Sequence, residues 1–168
     1  MSPTLALMAR ALPMVLAGAI ALYFVLGRRR ALAQALPVPT AEGVRIPVNA
    51  VYAQSGGLLG GKQHNSMHPE LTIGHEAIRF RALTRKMWSV ADIAHIEARS
   101  RPGGWKLVFV GRRRSNVLVA DILGEANALA ALRALPDSVI LTPQAALLRN
   151  GSAAAGVEGL PLYRGRMW

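Results

Sequence analysis

Between Leu71 and Asp121 apolar and polar side chains alternate in short runs separated by glycine-bearing turns, and no other feature narrows the possible folds as far. In LTIGHEAIRFRAL one run stops at Gly74-His75-Glu76, and in the next Ile78, Phe80 and Ala82 alternate with Arg79 and Arg81. Successive side chains of a strand point to opposite faces, so this strand has one apolar face and one basic face. After Arg85, Lys86 and Trp88 the pattern resumes, with Ile96 and Ala98 facing one way and Glu97 and Arg99 the other. Pro102-Gly103-Gly104 marks a turn, Trp105, Leu107 and Phe109 share a face, Gly111 to Asn116 marks another turn, and VLVAD follows. Strands recurring this closely, joined by tight turns, predict an antiparallel meander.

The period changes after the meander. In LGEANALAALRAL, residues 123–135, Ala126, Leu129 and Leu132 fall on one helical stripe, and Pro136 ends it. Thr142-Pro143 starts a second helix with a hydroxyl cap and a proline at the first position, and Asn150-Gly151 closes it. Upstream, RIPVNAVYA at 45–53 is predicted as a strand that tolerates Pro47 near its start, and residues 31–44, with two prolines and little charge, as a spacer. The organisation expected is a tail and helix over 1–30, a linker over 31–44, a β-rich domain with C-terminal helices over 45–150, and a disordered tail over 151–168.

Residues 11–27 carry no charge, and as a helix they would reach about 26 Å at ~1.5 Å per residue. Leu12, Val15, Leu16, Ile20, Leu22, Phe24, Val25 and Leu26 would favour lipid insertion by roughly 0.3 to 0.6 kcal/mol each. Arg28, Arg29 and Arg30 follow at once, where a cleaved leader would have small neutral residues, and three cations resist transfer across a bilayer. The sequence therefore predicts a retained single-pass anchor in a bacterial inner membrane, with the following domain on the cytoplasmic side.

The segment Leu71 to Ala98, LTIGHEAIRFRALTRKMWSVADIAHIEA, resembles the pleckstrin-homology-like domains of bacterial membrane-anchored proteins. Trp88, Asp92, Ile93 and Ile96 occupy the places where that family has an aromatic residue followed by a short step into the next strand, and the resemblance extends over about residues 48–135. It implies an α+β fold: a strongly bent, mainly antiparallel sheet capped at one end by the helix at 123–135. In eukaryotic relatives a basic first hairpin holds phosphoinositide headgroups; here that turn reads Gly74-His75-Glu76-Ala77.

The chain of 168 residues has no cysteine, which removes disulfides, thiolate nucleophiles and Cys-based zinc sites. Its formal net charge is +11, so its partners are expected to be anionic. The candidate contact residues are Arg79, Arg81, Arg85 and Lys86 on and beyond one strand, and Arg112, Arg113 and Arg114 at a hairpin tip. Gly56 to Lys62 approaches a phosphate-binding loop, but Gln63 stands where a magnesium-holding Ser or Thr is needed. His64, His68, Glu70 and His75 are close enough in sequence to suggest zinc, without a helix to place them on one side. The resulting expectation is a non-enzymatic binding or scaffolding module without a cofactor, engaging a membrane protein or an anionic lipid surface. The alternatives are an extracytoplasmic metal-dependent hydrolase or metal-binding protein, and a nucleic-acid-binding protein, for which few aromatic residues flank the basic clusters.

Overall fold

The computed structural model describes residues 3–54, 62–113 and 115–151, with side chains from residue 14 onward. Helix α1 (Pro3–Gln34) is followed by ten strands: β1 (Val38–Thr40), β2 (Gly43–Arg45), β3 (Ala50–Gln54), β4 (Lys62–Asn65), β5 (Glu70–Ile73), β6 (Ala77–Arg81), β7 (Arg85–Ser89), β8 (Ile93–Arg101), β9 (Gly104–Gly111) and β10 (Val117–Leu123). A 3-10 turn, Val90–Asp92, joins β7 to β8, and helices α2 (Glu125–Arg133) and α3 (Pro143–Arg149) are the last elements among the described residues. The class is α+β, with two antiparallel five-stranded sheets in the orders β1-β2-β5-β6-β7 and β4-β3-β10-β9-β8.

The alternation in the sequence builds the core directly. Leu71, Ile73, Ile78 and Phe80 of the first sheet and Ala53, Ile96, Leu107, Phe109, Leu118 and Ala120 of the second are all buried in one hydrophobic cluster. Registers such as Ile96↔Phe109 and Phe109↔Leu118 align the second group across four strands, so a single face of that sheet is apolar. Helices α2 and α3 pack on each other and on β8, β9 and β10, adding Ala128, Ala131, Leu132 and Leu148 to the same cluster.

Two expectations are corrected. The strand anticipated at 45–53 is two strands, β2 and β3, separated by Ile46-Pro47-Val48-Asn49, where the chain passes from one sheet to the other. Proline has no N–H for a ladder, so the crossing falls where pairing is interrupted anyway. The spacer anticipated at 31–44 likewise contains the end of α1 and most of the β1-β2 hairpin.

The second correction concerns the anchor: among the described residues no helix is long and apolar enough to cross a membrane. The uncharged run of α1 covers residues 11–27. At ~1.5 Å per residue that run reaches about 26 Å, short of a hydrocarbon core of ~30 Å. Arg28, Arg29 and Arg30 then continue in the same helix. Val15, Leu16, Ile20, Leu22, Phe24, Val25 and Leu26 are exposed on α1, and Leu12 lies outside the described side chains. The transmembrane and membrane assignments fall with that helix. The C-terminal end of α1 is fastened to the domain instead: Arg28 donates to the carbonyls of Ser66 and, at 3.3 Å, Met67, and the Asn127 amide donates to Leu32 O at 3.3 Å and Leu123 O at 3.1 Å.

One buried ion pair secures the crossing. Asp121 on β10 is only 4% exposed and pairs with Arg101 on β8, while its other oxygen accepts from Asn49 Nδ2 at 2.8 Å. Gly104 of β9 is the register partner of Arg101, so no side chain intervenes there. Replacing Asp121 with alanine strands the Arg101 guanidinium in a poorly solvated site. Asp121→Ala should lower unfolding free energy by about 3 to 5 kcal/mol, measured by urea denaturation, whereas a loss below about 1 kcal/mol would show that the pair is not structural.

Candidate functional site: an arginine-lined groove on the first sheet

The tight β5-β6 turn sets the first residues of the site. Gly74 N–H donates to Ala77 O at 2.9 Å, and from there the register runs through Ile73↔Ile78 and Thr72↔Arg79 to Glu70↔Arg81. Apolar residues of this hairpin point into the core, so Glu70, Thr72, Arg79 and Arg81 point outward. Strand β2 adds Arg45 opposite Thr72, and β7 adds Arg85 opposite Arg81 and Met87 opposite Arg79.

Like charges directly opposite each other destabilise a sheet, and Arg81 and Arg85 are such a pair. Glu70 relieves the conflict. Its Oε1 lies 3.5 Å from Arg45 and 3.7 Å from Arg81, and its Oε2 accepts from Arg85 Nε at 3.2 Å. A second carboxylate comes from the β1-β2 turn, where Glu42 meets Arg79 at 3.5 Å and also accepts at its backbone oxygen, 3.4 Å from the same guanidinium.

Glycine permits this approach. A Cβ on Gly74 would stand 2.6 Å from Glu42 O, and Gly43, at φ +128°, would place one 2.2 Å from Ile73 O. The first distance is a contact a side chain would block, and the second conformation is one that L-residues rarely adopt. These two positions therefore let the β1-β2 hairpin lean over the β5-β6 turn.

The result is a groove of about 630 Å³ whose lining includes Thr40, Glu42, Arg45, Arg79, Arg85 and Met87. Four arginines, Arg45, Arg79, Arg81 and Arg85, stand against two carboxylates on this face, leaving an excess of two positive charges. Each pair is substantially exposed, so it contributes at most about 1 kcal/mol to stability, and the guanidiniums remain able to exchange partners.

The structure brings Arg79, Arg81 and Arg85 together with Lys86 at the groove's border, and places Arg112 and Arg113 elsewhere. Lys86, whose register partner is Phe80, alternates with Arg85 and Met87 along β7 yet still borders the groove. Arg112 is tied to the 3-10 turn: its Nε donates to Ala91 O and its backbone N–H to Asp92 O, both at 2.8 Å. Arg113 lines a second depression of about 320 Å³ together with Trp88, Asp92 and Asn116, and Met87 borders both depressions. Arg114 and the glycine-rich segment 56–61 lie outside the described residues.

Arg45 and Glu42 were not among the sequence candidates. Glu70 was one only as a metal ligand, although counting outward from the turn at 74–77 places it opposite Arg81. Among the described residues no group of three or more His, Asp or Glu side chains could hold a metal. His64 instead stacks on Tyr52, its cross-strand partner, with ring centroids 4.4 Å apart.

No family model matches the chain, and neither does any curated protein.

If Glu70 serves to hold the arginines apart and in place, Glu70→Gln should cost only about 1 kcal/mol of stability, because the ion pairs are exposed. The same change should raise the affinity of the face for inorganic sulfate, measured by titration calorimetry at low salt. Weaker sulfate binding in the variant would mean that the carboxylate is not competing with anions for these guanidiniums.

Proposed function

We propose that this protein is a non-catalytic binding module that engages an acidic segment of a partner protein through the arginine face of its first sheet. The observation that carries the reading is a concave groove lined by Arg45, Arg79 and Arg85, with Arg81 beside them on Glu70 and two carboxylates set among the four. Arginine presents a planar fork of donors suited to carboxylates, and each guanidinium can turn from an internal glutamate to one supplied by a partner.

The shape and composition favour a peptide segment over a uniformly anionic surface. Glu42 and Glu70 would repel a dense layer of negative headgroups, whereas an extended chain can place its carboxylates between them. Exposed Leu83 and Met87, 67% and 63% accessible, border the basic residues and provide contacts for apolar side chains. The likeness to pleckstrin-homology-like domains at Leu71 to Ala98 supports a binding role of this kind.

The test uses the full chain, a ten-residue glutamate peptide and phosphatidylglycerol vesicles. The peptide should bind, more weakly as salt rises toward 0.15 M, where charges are screened beyond ~8 Å. The double variant Arg79→Ala, Arg81→Ala should reduce that affinity about tenfold, equivalent to ~1.4 kcal/mol, with an unchanged melting temperature. Vesicle binding in the absence of peptide binding would overturn the reading, as would equal peptide affinity for both proteins.

A further inference from the structure

The geometry points to strand addition at β7: the acidic partner segment binds as an extended strand along the outer edge of the first sheet, with its alternate side chains reaching the arginine groove and the cleft beside Trp88. This rests on the acidic-partner reading above and adds the backbone mode by which the segment is held.

Three of the four sheet margins are ill suited to such pairing. Strand β1 has three residues with Pro39 at its centre, and β4, four residues among those described, ends at Asn65, whose Nδ2 already donates to Arg81 O at 3.3 Å. The margin at β8 is already occupied, because Ile96 N–H donates to Ile140 O at 2.9 Å, Thr142 N–H donates to Ile96 O at 3.0 Å, and Leu141 forms a parallel bridge with Ile96. Strand β7 has five residues, no proline, and is the last strand in its sheet.

The hydrogen-bond phase shows which groups of β7 face outward. Val90 N–H donates to Glu76 O at 2.8 Å, so the pair 76:90 is a bonded one. Bonded and non-bonded pairs alternate along an antiparallel ladder. Following the β6-β7 register, Ile78:Trp88 and Phe80:Lys86 are bonded pairs, while Arg79:Met87 and Arg81:Arg85 are not. The N–H and C=O groups of Arg85 and Met87 therefore point away from β6, toward the position an added strand would take. Ser89 ends the usable edge by capping the 3-10 turn, its Oγ accepting from Ala91 N at 3.2 Å.

Side chains on the two faces of β7 describe the occupant. On the outer face Arg85 and Met87 adjoin the arginine groove, so residues of the added strand on that side are acidic. On the inner face Trp88, which meets Phe80 edge to face at a centroid distance of 5.5 Å, lines the smaller cleft with Arg113. Residues on that side are of modest size, as the 320 Å³ of the cleft allows, and those that reach the Trp88 ring are apolar, while Asp92, Arg112, Arg113 and Asn116 line the rest of the cleft. The segment is thus a strand in which acidic and aliphatic residues alternate, recognised by main-chain bonds for affinity and by alternate side chains for choice of sequence.

Positive charge on an edge strand also serves to discourage pairing, and the experiment separates the two roles. The probe is an eight-residue peptide alternating glutamate and valine, prepared unmodified, N-methylated at every glutamate, and N-methylated at every valine. Binding to the full-length protein is followed by fluorescence anisotropy, with the ten-residue glutamate peptide as a control. Strand addition places one alternate set of peptide N–H groups against β7 and the other toward solvent. Methylation of one set should weaken binding at least tenfold and methylation of the other by less than about threefold, with slowed amide exchange at Met87 in the unmodified complex. If both methylated peptides bind like the unmodified one, the arginines act by charge alone and strand addition is overturned while the acidic-partner reading stands. If neither the alternating nor the glutamate peptide binds, that underlying reading has failed as well.

Discussion

Four residues between β2 and β3 hold the two halves of this domain in register. Ile46 N–H donates to Leu71 O at 2.9 Å in the first sheet, and three residues later Asn49 N–H donates to Asp121 O at 2.7 Å in the second. Because Asn49 also binds the Asp121 carboxylate, the crossing is fixed by main chain and side chain to one strand. Arg101 then neutralises that carboxylate from across Gly104. A buried charge pair is costly to desolvate, and its value here is positional more than energetic. It defines where the chain leaves one sheet, and hence which faces of the two sheets meet.

Once those faces meet, the outward residues of the first sheet have no freedom to be elsewhere. Ile78 and Phe80 enter the core, so Arg79 and Arg81 must stand outside, and the strands on either side align Arg45 and Arg85 with them. The packing that stabilises the domain and the charge cluster that equips it for binding are consequences of one two-residue period. Glu70 lets the arrangement persist, since the opposed guanidiniums of Arg81 and Arg85 would otherwise repel each other without relief.

Much of this was legible in the sequence, because it depends on local patterning. The β5-β6 turn, the apolar and basic sides of β6, the β8-β9-β10 meander and both C-terminal helices follow from periodicity and turn chemistry. What depended on distant pairing was not. Arg45 joins the site only because β2 pairs with β5, some 27 residues further along by the register Arg45↔Thr72. Glu42 does so only because glycines at 43 and 74 let a hairpin lean across a turn, and neither glycine announces its counterpart. Pro47 was read as a tolerated irregularity in one strand, whereas it marks the passage between sheets. The N-terminal helix shows a different limit. Its apolar composition carries no sign of how its last two turns dock, where Leu32 and Arg28 make contacts fixed by the folded domain.

Met87 gives the surface a property that neither depression has alone. Met87 is a lining residue of both the arginine groove and the cleft beside Trp88. A thioether on an unbranched stem changes rotamer easily, so it can yield toward one side or the other. A change of side chain at this one position therefore touches the lining of both hollows at once.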